Sequence, residues 1–324
     1  MLTACSTLVA CGGDSSPRPK EEQPILTKDS VVEVWKDYDK LNNAAMVKSG
    51  PPSYDGMAYD VVDIGATLDH DVAVAKVNEV DDAERGTPYT TVSKALYAPV
   101  ESAGFALSTT AMPRLEKGLE KAKDTQSLSS VVRAGDPATW KKEMTIRVKP
   151  SAIPRPLGPG RESTASKADV ERARELVTSI HEYWRTSRRP TGIALGPAAS
   201  PDYVDIRAAF RKSKYDVSSE VLPEGISTTP DAGEALRVVR AQGGLLVLAN
   251  VRIRSTMISH GTGATITLNG PFLPKIFGSK PLQSARLTWN TTLAIAIPDK
   301  GKARVVAEES APTTKGSVTL PKRS

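Results

Sequence analysis

Leu245-Leu246-Val247-Leu248-Ala249-Asn250-Val251-Arg252-Ile253-Arg254-Ser255-Thr256 is the stretch whose reading decides the fold. Successive side chains of an extended chain point to opposite sides, so Leu245, Val247, Ala249, Val251 and Ile253 share one face and Asn250, Arg252, Arg254 and Thr256 the other. Arg286 to Ile297 repeats the pattern: Leu287, Trp289, Leu293, Ile295 and Ile297 lie on one side, Arg286, Thr288, Asn290 and Thr292 on the opposite one. The two runs are expected to be antiparallel neighbours. Their polar face would then gather Arg252, Arg254, Arg286 and Asn290, either as an anion-binding patch or as an ordinary solvated sheet face.

Working outward, Ala235 to Arg240 reads as a strand turning at Gln242-Gly243-Gly244, and Arg304 to Glu308 as a last strand. Pro312 to Ser324 reads as a disordered basic tail. Between the two long strands, Pro271-Phe272-Leu273-Pro274-Lys275-Ile276-Phe277 carries two of the four phenylalanines, and either caps the core or offers partners an apolar patch. Upstream, Ser166 is a plausible N-cap for a helix whose buried face is Val170, Ala173, Val177, Ile180 and Trp184. His181 borders that face with no second ligand at i+4, so a structural histidine is expected. Tyr203 to Tyr215 reads as a further short helical segment.

The first half follows a similar order. Ser30-Val31-Val32-Glu33 has capping-box spacing, and Val31, Val34, Trp35, Tyr38, Leu41 and Ala45 recur at helical intervals up to Gly50-Pro51-Pro52. Tyr38 is read as a core residue, with a pocket hydroxyl as the second reading. From Asp55 to Glu84 there are nine carboxylates and one lysine, without a period that decides between helix and strand. Asp69-His70-Asp71 and Asp81-Asp82 lack the spaced oxygens and glycine of a calcium loop, so a solvated acidic surface is expected. Tyr89 to Tyr97 and Phe105 to Met112 read as strands, Arg114 to Lys123 as a short helix, and Ser127 to Ala134 with Trp140 to Val148 as a hairpin around Gly135-Asp136-Pro137.

Lys149 to Gly160 contains four prolines, which withhold backbone donors and favour extended chain. The expected division is a partial signal at 1–10, a lipidated tether at 11–26, a first α+β domain at 27–149, a Pro-rich linker at 150–165, a second α+β domain at 166–311 and the tail at 312–324. This order, a helix followed by antiparallel strands, resembles the NTF2-like cone, implying two tandem α+β domains with an N-terminal amphipathic helix on a curved sheet.

Leu8-Val9-Ala10-Cys11 resembles a bacterial lipobox, in which the cysteine is acylated and begins the mature chain; Leu2-Thr3-Ala4-Cys5 fits the same pattern. The polar, proline-rich stretch from Asp14 to Pro24 suits a tether leaving a membrane. Met1 to Ala10 lacks a cationic start and a full apolar run, so Met1 is expected to be a misplaced or truncated start. Together with Val34-Trp35, Tyr38-Asp39, Asn42-Asn43 and Gly243-Gly244-Leu245-Leu246-Val247, the lipobox makes the chain similar to a family of actinobacterial lipoproteins. That resemblance implies a lipid-anchored protein on the extracytoplasmic face of the cell membrane, attached through Cys11, and implies no reaction.

Cys5 and Cys11 are the only cysteines, so cleavage and acylation at Cys11 would leave no pair for a disulfide. Residues 1–100 carry 9 Lys or Arg against 16 Asp or Glu, so the whole-chain charge of +6 conceals a strongly basic remainder. A basic second half near a membrane suits an anionic surface or an envelope protein. Basic residues are not interleaved with aromatics as a nucleic-acid face requires, so no nucleic acid is expected. Neither a nucleophile elbow, a P-loop, a zinc motif nor a dinucleotide fingerprint occurs, and His70, His181 and His260 stand in unrelated contexts. No catalytic residue, metal or cofactor is therefore expected; binding or scaffolding is the first reading, and an NTF2-like enzyme or small-molecule module the alternative.

Overall fold

The computed structural model describes residues 26–84, 86, 88–99, 104–111, 126–135, 139–158, 160–186, 188–195, 215–221 (backbone only), 235–259 and 264–321. The lipobox with Cys5 and Cys11, the tether up to residue 25, the expected helices at 114–123 and 203–214, Asp136-Pro137 and His260 lie outside them.

Helix α1 (Lys28–Lys48) starts three residues earlier than the Ser30-to-Glu33 spacing suggests. The Ser30 amide donates to Thr27 Oγ1 at 3.1 Å and the Thr27 amide donates to Ser30 Oγ at 2.7 Å, so serine supplies the return bond usually given by glutamate. Val31, Trp35, Tyr38, Asn42 and Ala45 are buried, whereas Leu41, expected on the stripe, is exposed. The acidic stretch forms a second helix, α2 (Gly65–Asp81), ended by Asp82 in the left-handed conformation. Its apolar residues are mostly alanine and valine, too weak a stripe to read alone. Packing of Ala66, Ala73 and Ala75 holds it in place.

Strands β1 (Val92–Tyr97), β2 (Phe105–Ala111), β3 (Gln126–Ala134) and β4 (Thr139–Val148) form an antiparallel sheet in sequence order. After helix α3 (Lys167–Thr186), strands β5 (Ile193–Ala194), β6 (Tyr215–Val221), β7 (Ala235–Ala241), β8 (Gly244–Ser259), β9 (Ser284–Pro298) and β10 (Ala303–Thr319) build the second sheet, ordered β5-β10-β9-β8-β6. The expected antiparallel pairing is present, with Leu245 opposite Ile297 and Arg252 opposite Asn290. Strand β8 pairs with β7 along its first half and β6 along its second. Gly244 (φ 154°) takes its place at the tight turn because a Cβ there would meet Ile297 O at 2.1 Å.

The layers run helix, sheet, sheet, helix. Val31, Trp35 and Tyr38 of α1 cover one face of the first sheet against Leu96, Ala106 and Val131. The other face, with Leu107, Leu128, Met144 and Ile146, packs against Val239, Leu246, Leu248 and Ala294 of the second sheet. The far face of the second sheet, with Val247, Ala249, Leu293 and Ile295, is covered by Ala173, Val177, Ile180 and Trp184 of α3. The start of β8 is therefore buried on both faces. At ~1.5–3 kcal/mol for each fully buried aliphatic side chain, Leu246 and Leu248 contribute as much as the residues of the expected face. The Pro-rich segment lies along this assembly, with bridges from Pro99 to Gly160, Pro156 to Ala241 and Thr164 to Val239.

Two expectations are corrected. Residues 312–319 are not tail: β10 continues beside β9 to Thr319, with a register shift between Pro312 and Gly316 that accommodates the proline on a stretch whose one strand partner among the described residues is β9. The acidic stretch is not uniformly solvated, since Asp63 is fully buried and Asp69 largely so, although Glu79, Asp81 and Asp82 are exposed. The phenylalanine-rich segment holds a short helix, α4 (Leu273–Phe277), and takes the capping role: Leu273 and Phe277 pack on Met257, Ile266, Leu282 and Leu287.

Candidate functional site

Arg252 and Asn290 do meet, as direct cross-strand partners, and the anion they hold belongs to the chain itself. Asp69 of α2 accepts from Arg252 Nη2 at 2.8 Å and from Asn290 Nδ2 at 3.1 Å, while Lys315 Nζ lies 2.9 Å from its other oxygen. Arg254 is half-buried opposite Thr288, and Arg286 is exposed opposite Thr256, one pair further along. The four residues thus lie in a row, and only two of them converge.

Behind Asp69, successive α2 side chains turn to different neighbours because a helix rotates about 100° per residue. Asp71 faces Asp63, beside Lys142 of β4. The Tyr38 hydroxyl lies 3.0 Å from Asp63 Oδ1 and 3.1 Å from Asn42 Oδ1, and Lys142 donates to the same hydroxyl. Asn42 Nδ2 donates to the Tyr89 hydroxyl at 2.9 Å. Burial pushes Asp63 well above the usual carboxylate range; Lys142 opposes the rise and the Asp71 carboxylate adds to it. Asp71 is raised by burial as well. Burial would lower Lys142, but Asp63, Tyr89 and Asp71 around it hold its ammonium above the ordinary range. Tyr38, read as core, is buried and also carries a hydroxyl within a proton-sharing network. His181 packs 5.6 Å from Trp184 and is pushed down to about 4 by burial, a neutral histidine in the wall of the second core.

Two openings stand out among the described residues. One is a cleft of about 60 Å³ under the first turns of α2, lined by Ala66, Thr67, His70, Thr145, Asn290, Thr292, Glu309 and Ala311. The other is a groove of about 440 Å³ at the turn end of the second sheet, between the Pro-rich segment (Ser151 to Pro154) and Gln242 to Leu245, Ala296 to Pro298, Lys302 and Arg304. Lys302 and Arg304 are exposed, none of the described residues lining the groove is acidic, and Arg304 also donates to the Ala152 carbonyl at 3.0 Å. Its volume lies within the ~300–1,000 Å³ of small-molecule sites. Sequence reasoning missed this groove because its cations follow the turn after β9 and come together with the Pro-rich segment only in the fold.

Among the described residues, no group of three or more His, Cys, Asp or Glu is placed to hold a metal, and no helix is long and apolar enough to cross a membrane. The architecture defines an α+β protein with two antiparallel-rich sheets. No family model and no curated protein matches the chain.

Proposed function

We propose that this is a lipid-anchored cell-envelope protein that binds an anionic partner without catalysis, using the groove beside Lys302 and Arg304. The observation that carries this reading is the pairing of two exposed cations with a concave surface whose described lining holds no acid, on the half of the chain that holds the excess positive charge. Such a surface attracts anions within about a Debye length, ~8–10 Å at ordinary ionic strength. The lipobox at Leu8 to Cys11 supports placement at the outer face of the membrane, and with it kinship to the actinobacterial lipoproteins. The helix-then-sheet order of both halves, with α1 on the first sheet and α3 on the second, supports reading them as tandem NTF2-like units.

The test is fluorescence anisotropy of a labelled penta-glutamate peptide with the full chain and with a Lys302→Glu/Arg304→Glu variant. Binding that weakens with added salt and falls at least about tenfold in the variant supports the reading. Equal binding by both chains contradicts it. The alternative, a small-molecule module or enzyme, draws support from the cleft under α2, which brings His70 and Glu309 together.

A further inference from the structure

The cleft under α2 is built by three elements. Ala66, Thr67 and His70 share one helix face, at spacings i, i+1 and i+4. The floor is two adjacent cross-strand pairs, Asn290 opposite Ala311 and Thr292 opposite Glu309, and Thr145 of β4 closes one side.

Thr67 is the informative residue. It is only 4 % exposed, yet its hydroxyl has no hydrogen-bond partner among the described residues. A helical threonine ordinarily returns its proton to a carbonyl one turn back, and a buried hydroxyl left unpaired costs about 1–3 kcal/mol. Here the hydroxyl belongs to the lining of a cleft, where a polar guest can pair it. The space of about 60 Å³ exceeds the ~10–15 Å³ that one water requires, so it holds a few waters or one small polar headgroup.

The lining selects the charge of that guest. Glu309 is the one carboxylate among the described lining residues. Asn290 is fully engaged, donating Nδ2 to Asp69 and accepting at Oδ1 from Asn250 and Arg252, whereas Thr292 has committed its proton to Asn250 Oδ1 at 3.3 Å and keeps its oxygen as an acceptor. Burial lowers His70 below its ordinary range, Glu309 opposes the fall, and the more distant Lys142 and Arg147, outside the lining, add to it, so the ring is neutral near pH 7 and one nitrogen accepts. Acceptors outnumber donors on the described lining, and the formal charge that it carries is the Glu309 carboxylate.

We propose that this cleft binds a small primary ammonium group, with Glu309 as counter-ion and Thr67, Thr292 and His70 as hydrogen-bond acceptors. The inference is independent of the cationic groove, which lies elsewhere on the second sheet.

The experiment titrates the full chain with methylammonium chloride at constant ionic strength, beside potassium chloride and tetramethylammonium chloride, following the His70 ring resonances by NMR. The expected result is a saturable response to methylammonium alone, weakened about fivefold or more in Thr67→Val and in Glu309→Gln, the scale of one lost hydrogen bond or ion pair. Thr67→Ser, which keeps the hydroxyl, is expected to retain binding and guards against a general folding defect. An equal response to potassium or tetramethylammonium, no saturation, or unchanged binding in Thr67→Val would overturn the proposal and leave a cleft filled by water.

Discussion

Arg237 of β7 grips Glu143 of β4 with both arms of its guanidinium, Nε to Oε2 at 2.9 Å and Nη2 to Oε1 at 2.5 Å, and both side chains are about 1 % exposed. The pair crosses the layer between the two sheets. Ser130 donates to the same carboxylate at 3.2 Å, and the Phe105 ring lies 5.5 Å from the guanidinium carbon. Removing one partner strands a buried charge, so Arg237→Met or Glu143→Leu alone should cost about 3–5 kcal/mol, while the double apolar variant should recover much of that loss. Urea denaturation of the four chains checks this, and additive losses would contradict it.

The knot on Asp69 predicts a gain as well as a loss. Asp69→Ala leaves Arg252, Asn290 and Lys315 without their shared anion, at about 1–3 kcal/mol. Sulfate should then stabilise the variant more than the parent chain, as read by the shift in Tm on adding sulfate at matched ionic strength. An equal shift in both would mean that these cations do not form an anion site when released.

Stability should depend on pH with two limbs of opposite sign. Asp63 and Asp71 titrate above their unfolded values, so the stability they contribute is complete below about pH 4 and is lost as pH rises through their folded values. His181 is depressed to about 4, so its contribution is complete above ~6.5 and is lost as pH falls towards 4. Asp71→Asn should flatten the first limb and His181→Leu the second in a series of Tm against pH. A parallel offset of the whole curve would contradict either assignment.

The end of β10 is structural. Removing residues 312–324 takes away strand pairing with β9 and the buried Thr313, whose hydroxyl donates to the Thr288 carbonyl at 3.2 Å. Truncation should lower stability by at least about 1 kcal/mol, or ~2–4 °C in Tm. Gly316→Ala should act in the same direction, because its Cβ would meet Arg286 O at 2.6 Å and the Phe277 ring at 2.9 Å. An unchanged Tm after truncation would return this segment to the role of a tail.

The β8–β9 pairing was legible because its signal is local: alternation along each strand and chemically matched faces. Arg252 beside Asn290 followed from that register. Their real partner was not legible, since Asp69 lies 183 residues before Arg252, in a stretch whose alanines and valines carry no decisive period. The second buried face was hidden for a related reason. Leu246 and Leu248 break the alternation, and only packing against the first sheet explains them. Of strand β10 only Arg304 to Glu308 is legible, and its continuation past Pro312 is hidden because proline is a stop signal except at an edge or a bulge. Thr67 and Glu309 carry no signal in the sequence and His70 stands out only beside Asp69 and Asp71, until the fold brings α2 and β10 together as one wall.

The claim that the folded body works from a lipid anchor at the envelope is tested most directly by intact-mass analysis and membrane fractionation of the native protein beside a Cys11→Ala variant. The account predicts a chain beginning at Cys11 with a lipid-sized mass increment in the membrane fraction, and loss of both increment and membrane association in the variant. An unmodified chain in the cytoplasm would contradict it.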